Sequence, residues 1–314
     1  MLETSARVPT RQEVYISGNV TRVLGAVGVL FVVYQLVGYT TWMLSPGFAP
    51  PPRGDSLISP EALAGVRFAQ LTQIVSAGVW SLFLIISWLK LRRLTWPMAL
   101  SIGWIAVYWQ DPLVNIVHHD FSYNAYFFNR GDWGGYLPFL PYHTNVLSQP
   151  LLVEGLVFYW QIPVFALLTS WLMGRARQGL GIQNPWILSA IGWSIMVIAD
   201  FLLESRGIQT HAFAWNRVSR MLSLHAGTPN QWPLYEGIAV AAMWASGGIL
   251  HFFRGVNRFT PFDREITEEG PFAGLWLVLV LIGFFNLIFL GYNAVLVILG
   301  GFDPAPTNFP SWLS

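Results

Sequence analysis

The stretch Gln110–Trp133, QDPLVNIVHHDFSYNAYFFNRGDW, closes an apolar run that begins at Pro97. It puts Asp111, Asn115, His118, His119 and Asp120 where hydrocarbon should give way to water. A carboxylate at such a boundary is costly and is ordinarily paired, protonated or in use. That reading needs the run to be a membrane span, and composition supports it. Of 314 residues, 54% are hydrophobic and only 11% charged, against about 25% charged in soluble domains. With several other runs of spanning length, the chain reads as an all-α polytopic membrane bundle.

Working outward, the hydropathy predicts one integral membrane domain over 1–314 with about seven transmembrane helices. They fall near 23–44, 68–89, 97–117, 150–173, 185–204, 233–253 and 272–299. Met1–Thr21 is a polar arm without a small-residue cleavage site, so the first span is expected to stay in the membrane. Two long segments, His118–Gln149 and Ser205–Trp232, are too aromatic to be loose linkers, and we expect them to cap the helix ends over a cavity. With the amino terminus cytoplasmic, the inner segments hold eleven of the seventeen Lys and Arg residues, among them Lys90, Arg92, Arg93, Arg175 and Arg177. Basic residues then sit at every inner helix end, as the positive-inside rule requires.

An internal repeat supports the register. Gln149–Gly155 (QPLLVEG) opens span 4 and Gln231–Gly237 (QWPLYEG) opens span 6, while Asp111–Asn115 parallels Asp200–Glu204 upstream. Each copy sends acids to the same end. Five acids therefore stand out: Asp111, Glu154, Asp200, Glu204 and Glu236. Asp200 and Glu204 are four apart and share a helix face. Glu154 and Glu236 lie in first turns, where the macrodipole favours a carboxylate, so for these two a plain capping role competes with catalysis. An acid at Asp200 costs roughly 2.5–3.5 kcal/mol on insertion scales, which favours function; the competing reading is an ion pair with Arg206, Arg217 or Arg220. Asp111 has Arg130 as its structural alternative.

The histidines offer little for a metal. His118 and His119 are adjacent rather than three or four apart, and no HExxH box occurs, so no metal is expected and His118 is a candidate acid–base group instead. The chain contains no cysteine, which excludes disulfides and thiolate chemistry. Phosphate-cradling loops, dinucleotide fingerprints and a nucleophile elbow are missing, and no basic stripe suggests nucleic acid. No cofactor is expected. The anticipated partners are a lipophilic small-molecule substrate and membrane lipids, with the oligomeric state open.

Gln110–Asn115, then Phe121-Ser122-Tyr123-Asn124-Ala125 and Asn129–Trp133, resemble the signature segment of the AveC-like spirocyclase family of bacterial membrane proteins. Pro233–Gly237 and the span layout fit as well; Asp132 stands where the family usually has serine. The resemblance implies a bacterial plasma-membrane enzyme that forms a spiroketal on a polyketide, with dehydration in some members. Such chemistry needs a carbonyl protonated and a hydroxyl deprotonated, which paired carboxyls can do without a redox group. The expected site has Asp111 and Asp200 as the acid–base pair, with Glu204, Glu154 and Glu236 sharing or tuning the proton. Asn115, His118, Tyr123, Asn124 and Trp133 would contact the substrate. Cyclisation, dehydration or isomerisation of a polyketide or terpenoid is the leading reading. A non-catalytic carrier of lipid or protons is the alternative, and a metal-dependent oxidase a third class.

Overall fold

The protein was described from a computed structural model, which covers residues 18–140, 147–254 and 272–313. Its helices follow the apolar runs, but their ends are set by capping residues. α1 spans Gly18–Met43 and α2 Pro60–Leu91. α2 starts well before the apolar run predicts because Ser59 caps it: the Ser59 hydroxyl accepts the Ala62 N–H at 3.1 Å, and Pro60 pre-sets the first turn. Asn184 and Pro185 do the same for α6, Pro185–Gln209, which runs past the predicted end at Glu204. α7 is Leu234–Arg254 and α8 Ala273–Gly300.

The third and fourth passes are irregular. α3, Trp96–Ile105, stops after about 15 Å of rise, and a 3-10 helix at Tyr108–Asn115 carries the chain about 16 Å further. The predicted span 97–117 is therefore a broken pass. Pro112 and the polar Gln110-Asp111 pair do not suit a regular helix here. Broken backbone at membrane depth must find partners inside the protein. α8 supplies them: Asn286 Nδ2 donates to Ala106 O at 3.2 Å, and Asn293 Nδ2 to Gln110 O at 3.3 Å. Trp109 Nε1 and Gln110 Nε2 donate back to Asn286 Oδ1 at 2.7 and 2.8 Å. The fourth pass opens with a π-turn at Leu152–Leu156, continues as α4, Val157–Gln161, and bends at Pro163 into α5, Pro163–Gly179. Counting α4 with α5, six described segments are long and apolar enough to cross a membrane.

α8 is the hub, packing against α1, α3 and α7, while α5, α6 and α7 form a second cluster. Gly28 and Gly283 let α1 and α8 meet backbone to backbone, since a Cβ on either would strike a main-chain carbonyl of the other helix. α2 lies at the periphery, held by α4 and the π-turn. Over one end sits the expected cap, and it contains short strands. β1 (Phe121–Tyr123) pairs antiparallel with β2 (Phe213–Trp215), joining the two long segments to each other. β3 (Arg217–Ser219) pairs with the tail strand β6 (Pro304–Pro306), and β4 (Ser223–Leu224) with β5 (Trp232–Pro233).

Candidate active site

Beneath the cap lies a cavity of about 660 Å³, within the range usual for small-molecule sites. Strand alternation makes its roof. Phe121 and Tyr123 on β1, with Phe213 and Trp215 opposite on β2, all line it, while Ser122 and Ala214 point away. Its helical walls carry Asp111, Asp200, Glu204 and Glu236, with Tyr159, Tyr292 and Asn293 beside them. Four of the five singled-out acids thus share one chamber. The side chain of Glu154, the fifth, lies outside the described residues.

The acids form two groups. Asp111 stands alone among donors: Tyr159 donates to its Oδ1 at 2.5 Å, Gln149 donates to its Oδ2, and Tyr123 reaches it from the roof. Arg130 is not its partner, lying instead over the rings of Phe48 and Phe128. The second group is Asp200, Glu204 and Glu236, whose carboxylate oxygens lie within 4.8 Å of one another. Trp232 Nε1 donates to Glu204 Oε2 at 2.6 Å, Trp215 Nε1 to the same oxygen at 3.4 Å, and Tyr292 to Glu236 Oε1 at 2.9 Å. Asp200 and Glu236 are each 1% exposed, and among the described residues Asp200 Oδ2 and Glu236 Oε2 have no hydrogen-bond partner. Carboxylates this close in an apolar site repel one another unless a proton or a cation lies among them. Asp200 makes no ion pair among the described residues, so the structural alternative for it fails. The three carboxyls are also the group best able to hold a hard cation, by their all-oxygen donor set.

The repeat has a structural counterpart. Gln149 serves Asp111, while its equivalent Gln231 donates to Trp215 O at 2.5 Å and so steadies a roof residue bonded to Glu204. Gly237 makes room: a Cβ there would lie 2.5 Å from the Trp232 ring and 3.0 Å from Asp200 Oδ2.

The remaining candidates lie elsewhere. Asn115 is a turn residue, its Oδ1 accepting the N–H of Asp120 and of Phe121, each at 2.9 Å. Asn124 ties the cap through His211 O at 2.8 Å and the Tyr126 N–H at 3.0 Å. Trp133 is wholly buried among Tyr39, Trp42 and Tyr108, its Nε1 donating to Trp109 O at 2.8 Å. None of the three lines the cavity. Short polar residues and a tryptophan in an aromatic loop read alike as binding or turn residues in sequence, and here backbone satisfaction and core packing claim them. His118 lines a separate outer depression with His119, Asn216 and Arg217. Burial, then Arg217, lowers the pKa of His118, and burial lowers that of His119. Asp132, the departure from the family pattern, pins the cap by accepting Gly134 N and Leu147 N, both at 2.8 Å, with burial raising its pKa to about 6. Tyr159, Gln149, Tyr292 and Trp232 were not singled out from sequence. Tyr292 and Asn293 had a signal, as polar residues inside the most apolar helix.

An aromatic-roofed chamber with two sets of carboxyls inside a bundle of helices long and apolar enough to span points to a membrane-associated protein with a buried acid site. The family described as Spirocyclase AveC-like matches residues 91–310, well over half of the chain, and the protein belongs to it. Membership points to a cyclase role in secondary metabolism. A search of the curated proteins finds no match, and a search of the solved structures finds none.

Proposed function

We propose that the protein is an integral membrane enzyme, of a bacterial plasma membrane, that cyclises a lipophilic, oxygenated substrate by acid–base chemistry. The observation that carries this is the pairing of Asp111 with the Asp200–Glu204–Glu236 group in one apolar chamber. The two sets are prepared for opposite roles. Asp111, ringed by donors, is held as the acceptor; the clustered carboxyls of Asp200, Glu204 and Glu236 share a proton to give.

For a dihydroxy-ketone the steps balance as follows. Asp200 protonates the carbonyl oxygen while Asp111 takes the proton of the attacking hydroxyl, giving a hemiketal. A second protonation lets the hemiketal oxygen leave as water. The remaining hydroxyl attacks the oxocarbenium carbon and loses its proton to the carboxylate, so the net change is loss of one water. If the cation is quenched by loss of a neighbouring C–H proton, the product is a dehydrated enol ether from the same acids. Tyr292 and Glu204 keep the proton mobile within the group. Aromatic and aliphatic walls such as Phe289, Val240 and Leu296 exclude water that would compete with the hydroxyls.

The test uses protein in lipid nanodiscs and a long-chain dihydroxy-ketone probe. Loss of one water by the wild type, absent with Asp200→Asn, is expected. Equal conversion by both proteins would defeat the assignment.

A further inference from the structure

We propose that the substrate enters sideways from the bilayer, through the gap between α2 and α6, with its oxygen-bearing end leading. The inference rests on the acid–base reading above and adds the route and the orientation. The cap is an unpromising door. Its roof is a packed aromatic sheet, with Phe121 against Trp215 at 4.8 Å and against Phe213 at 5.4 Å. The side wall is different. Phe68 and Thr72 of α2, with Leu203 of α6, line the cavity and are also exposed on the outer surface of the bundle; Phe68 is 70% and Leu203 48% exposed. The chamber therefore reaches the face that lipid covers.

The gap has defined ends. Toward the cap, the helices close on each other at Gly65, where a Cβ would lie 3.3 Å from Thr210 O. Away from the cap, α2 is fastened to its neighbours: Ser76 Oγ donates to Gln161 Oε1 at 2.7 Å, Trp80 Nε1 to Ser101 Oγ at 3.0 Å, and Trp160 Nε1 to Ser81 Oγ at 2.9 Å. Between these ends the wall is apolar or uncharged apart from Arg206 on the cap side, and the unpartnered oxygens of Asp200 and Glu236 lie behind it. A molecule dissolved in hydrocarbon can keep its chain among Phe68 and Leu203 while its hydroxyl or carbonyl finds those oxygens. The opposite orientation would leave the acids facing hydrocarbon and the oxygens in lipid, which costs the hydrogen bonds of both. The occupant to which this wall is suited is thus a chain with oxygens at one end, and not a phospholipid, whose phosphate would end against the carboxyls of Asp200, Glu204 and Glu236.

The test is photolabelling in bilayers with two long-chain alkyl diazirine alcohols, one carrying the diazirine beside the hydroxyl and one at the far end. Light releases nitrogen, and the carbene inserts into the O–H of a carboxyl to leave an ester found by peptide mass spectrometry. The first probe is expected to mark Glu204 or Glu236 and the second the Phe68–Thr72 wall. Thr72→Trp and, from the other side, Leu203→Trp should each cut labelling of the acids at least tenfold. Gly78→Trp, on a part of α2 with open space around it, should not, and labelling of the lipid-facing Trp171 reports that each variant is folded and inserted. Labelling of the acids that ignores both tryptophans, equal marking of the acids by both probes, or full protection by added phospholipid would each overturn the proposal. Labelling needs no turnover. If it behaves as expected while the wild type cyclises nothing, the chemistry fails and the portal stands; the converse result removes the portal alone.

Discussion

The Tyr159 hydroxyl donates a hydrogen bond to Asp111 Oδ1 at 2.5 Å, linking α4 to the broken third pass inside the chamber. A carboxyl held by three donors keeps its direction, as a base requires. Asp111→Asn should therefore lower kcat by at least about 100-fold, the low end of general-base contributions. Tyr159→Phe, which spares the carboxylate but loosens it, should cost about tenfold, again in kcat more than in KM. Steady-state kinetics on the nanodisc protein, with thermal unfolding as the folding control, checks both.

On the acid–base reading, the charge shared among Asp200, Glu204 and Glu236, whose carboxylate oxygens lie within 4.8 Å of one another, is a proton. Prolonged dialysis against a strong chelator should thus leave turnover within about twofold, whereas Asp200→Asn or Glu236→Gln should remove it by about 100-fold or more. Elemental analysis of the dialysed protein completes the measurement. Activity that falls with the chelator and returns with a divalent ion would convert the three carboxyls into a cation site.

Gly237 separates Glu236 from the rest of α7 and admits both the Trp232 ring and the Asp200 carboxyl to its side. Gly237→Ala puts a methyl where the ring edge is 2.5 Å away, and the ring is fixed by its bond to Glu204. Overpacking of this kind typically costs about 1–3 kcal/mol. The expected result is a lower unfolding temperature together with lost activity, because Trp232 cannot yield without releasing Glu204. The equivalent change at Gly78, which faces open space, should alter neither.

The acids were legible in sequence because hydrocarbon makes a carboxylate conspicuous, and Asp200 stands about 14 Å of helical rise short of the end of α6. The repeat was legible for a similar reason, since Gln-x-x-Leu-x-Glu-Gly sits at an apolar boundary, whereas its two glutamines look like ordinary helix-start residues until Gln149 is seen on Asp111. The break in the third pass was hidden, because an apolar run shows length and not regularity; it becomes intelligible only when Asn286, far away in α8, meets Ala106 O. The aromatic cap was foreseen as a lid but not as paired strands, although Phe-Ser-Tyr and Phe-Ala-Trp both alternate with the period of a strand. Asn124 and Trp133 carry no local sign of the backbone bonding and burial that keep them out of the cavity wall.

Asp120 offers a test of the cap itself. It is buried at the turn where Asn115 Oδ1 accepts its N–H, and neither carboxylate oxygen has a hydrogen-bond partner among the described residues. Burial raises its pKa to about 7, with Arg217 pulling the other way, and Tyr235 stands near the same oxygens by Gly300. The unfolded chain would titrate this group near about 3.9. The folded state therefore binds the proton more tightly, and stability from Asp120 is complete below about pH 4 and is lost as pH rises through about 7. The shift corresponds to a loss of roughly 2–4 kcal/mol across that window, taken as an order of magnitude. Asp120→Asn cannot titrate, so its unfolding temperature should lack this downward slope between pH 4 and 8, whatever its absolute value. Parallel pH profiles for the two proteins would show that Asp120 is ionised in the folded cap already at low pH, and that Arg217 rather than burial governs it.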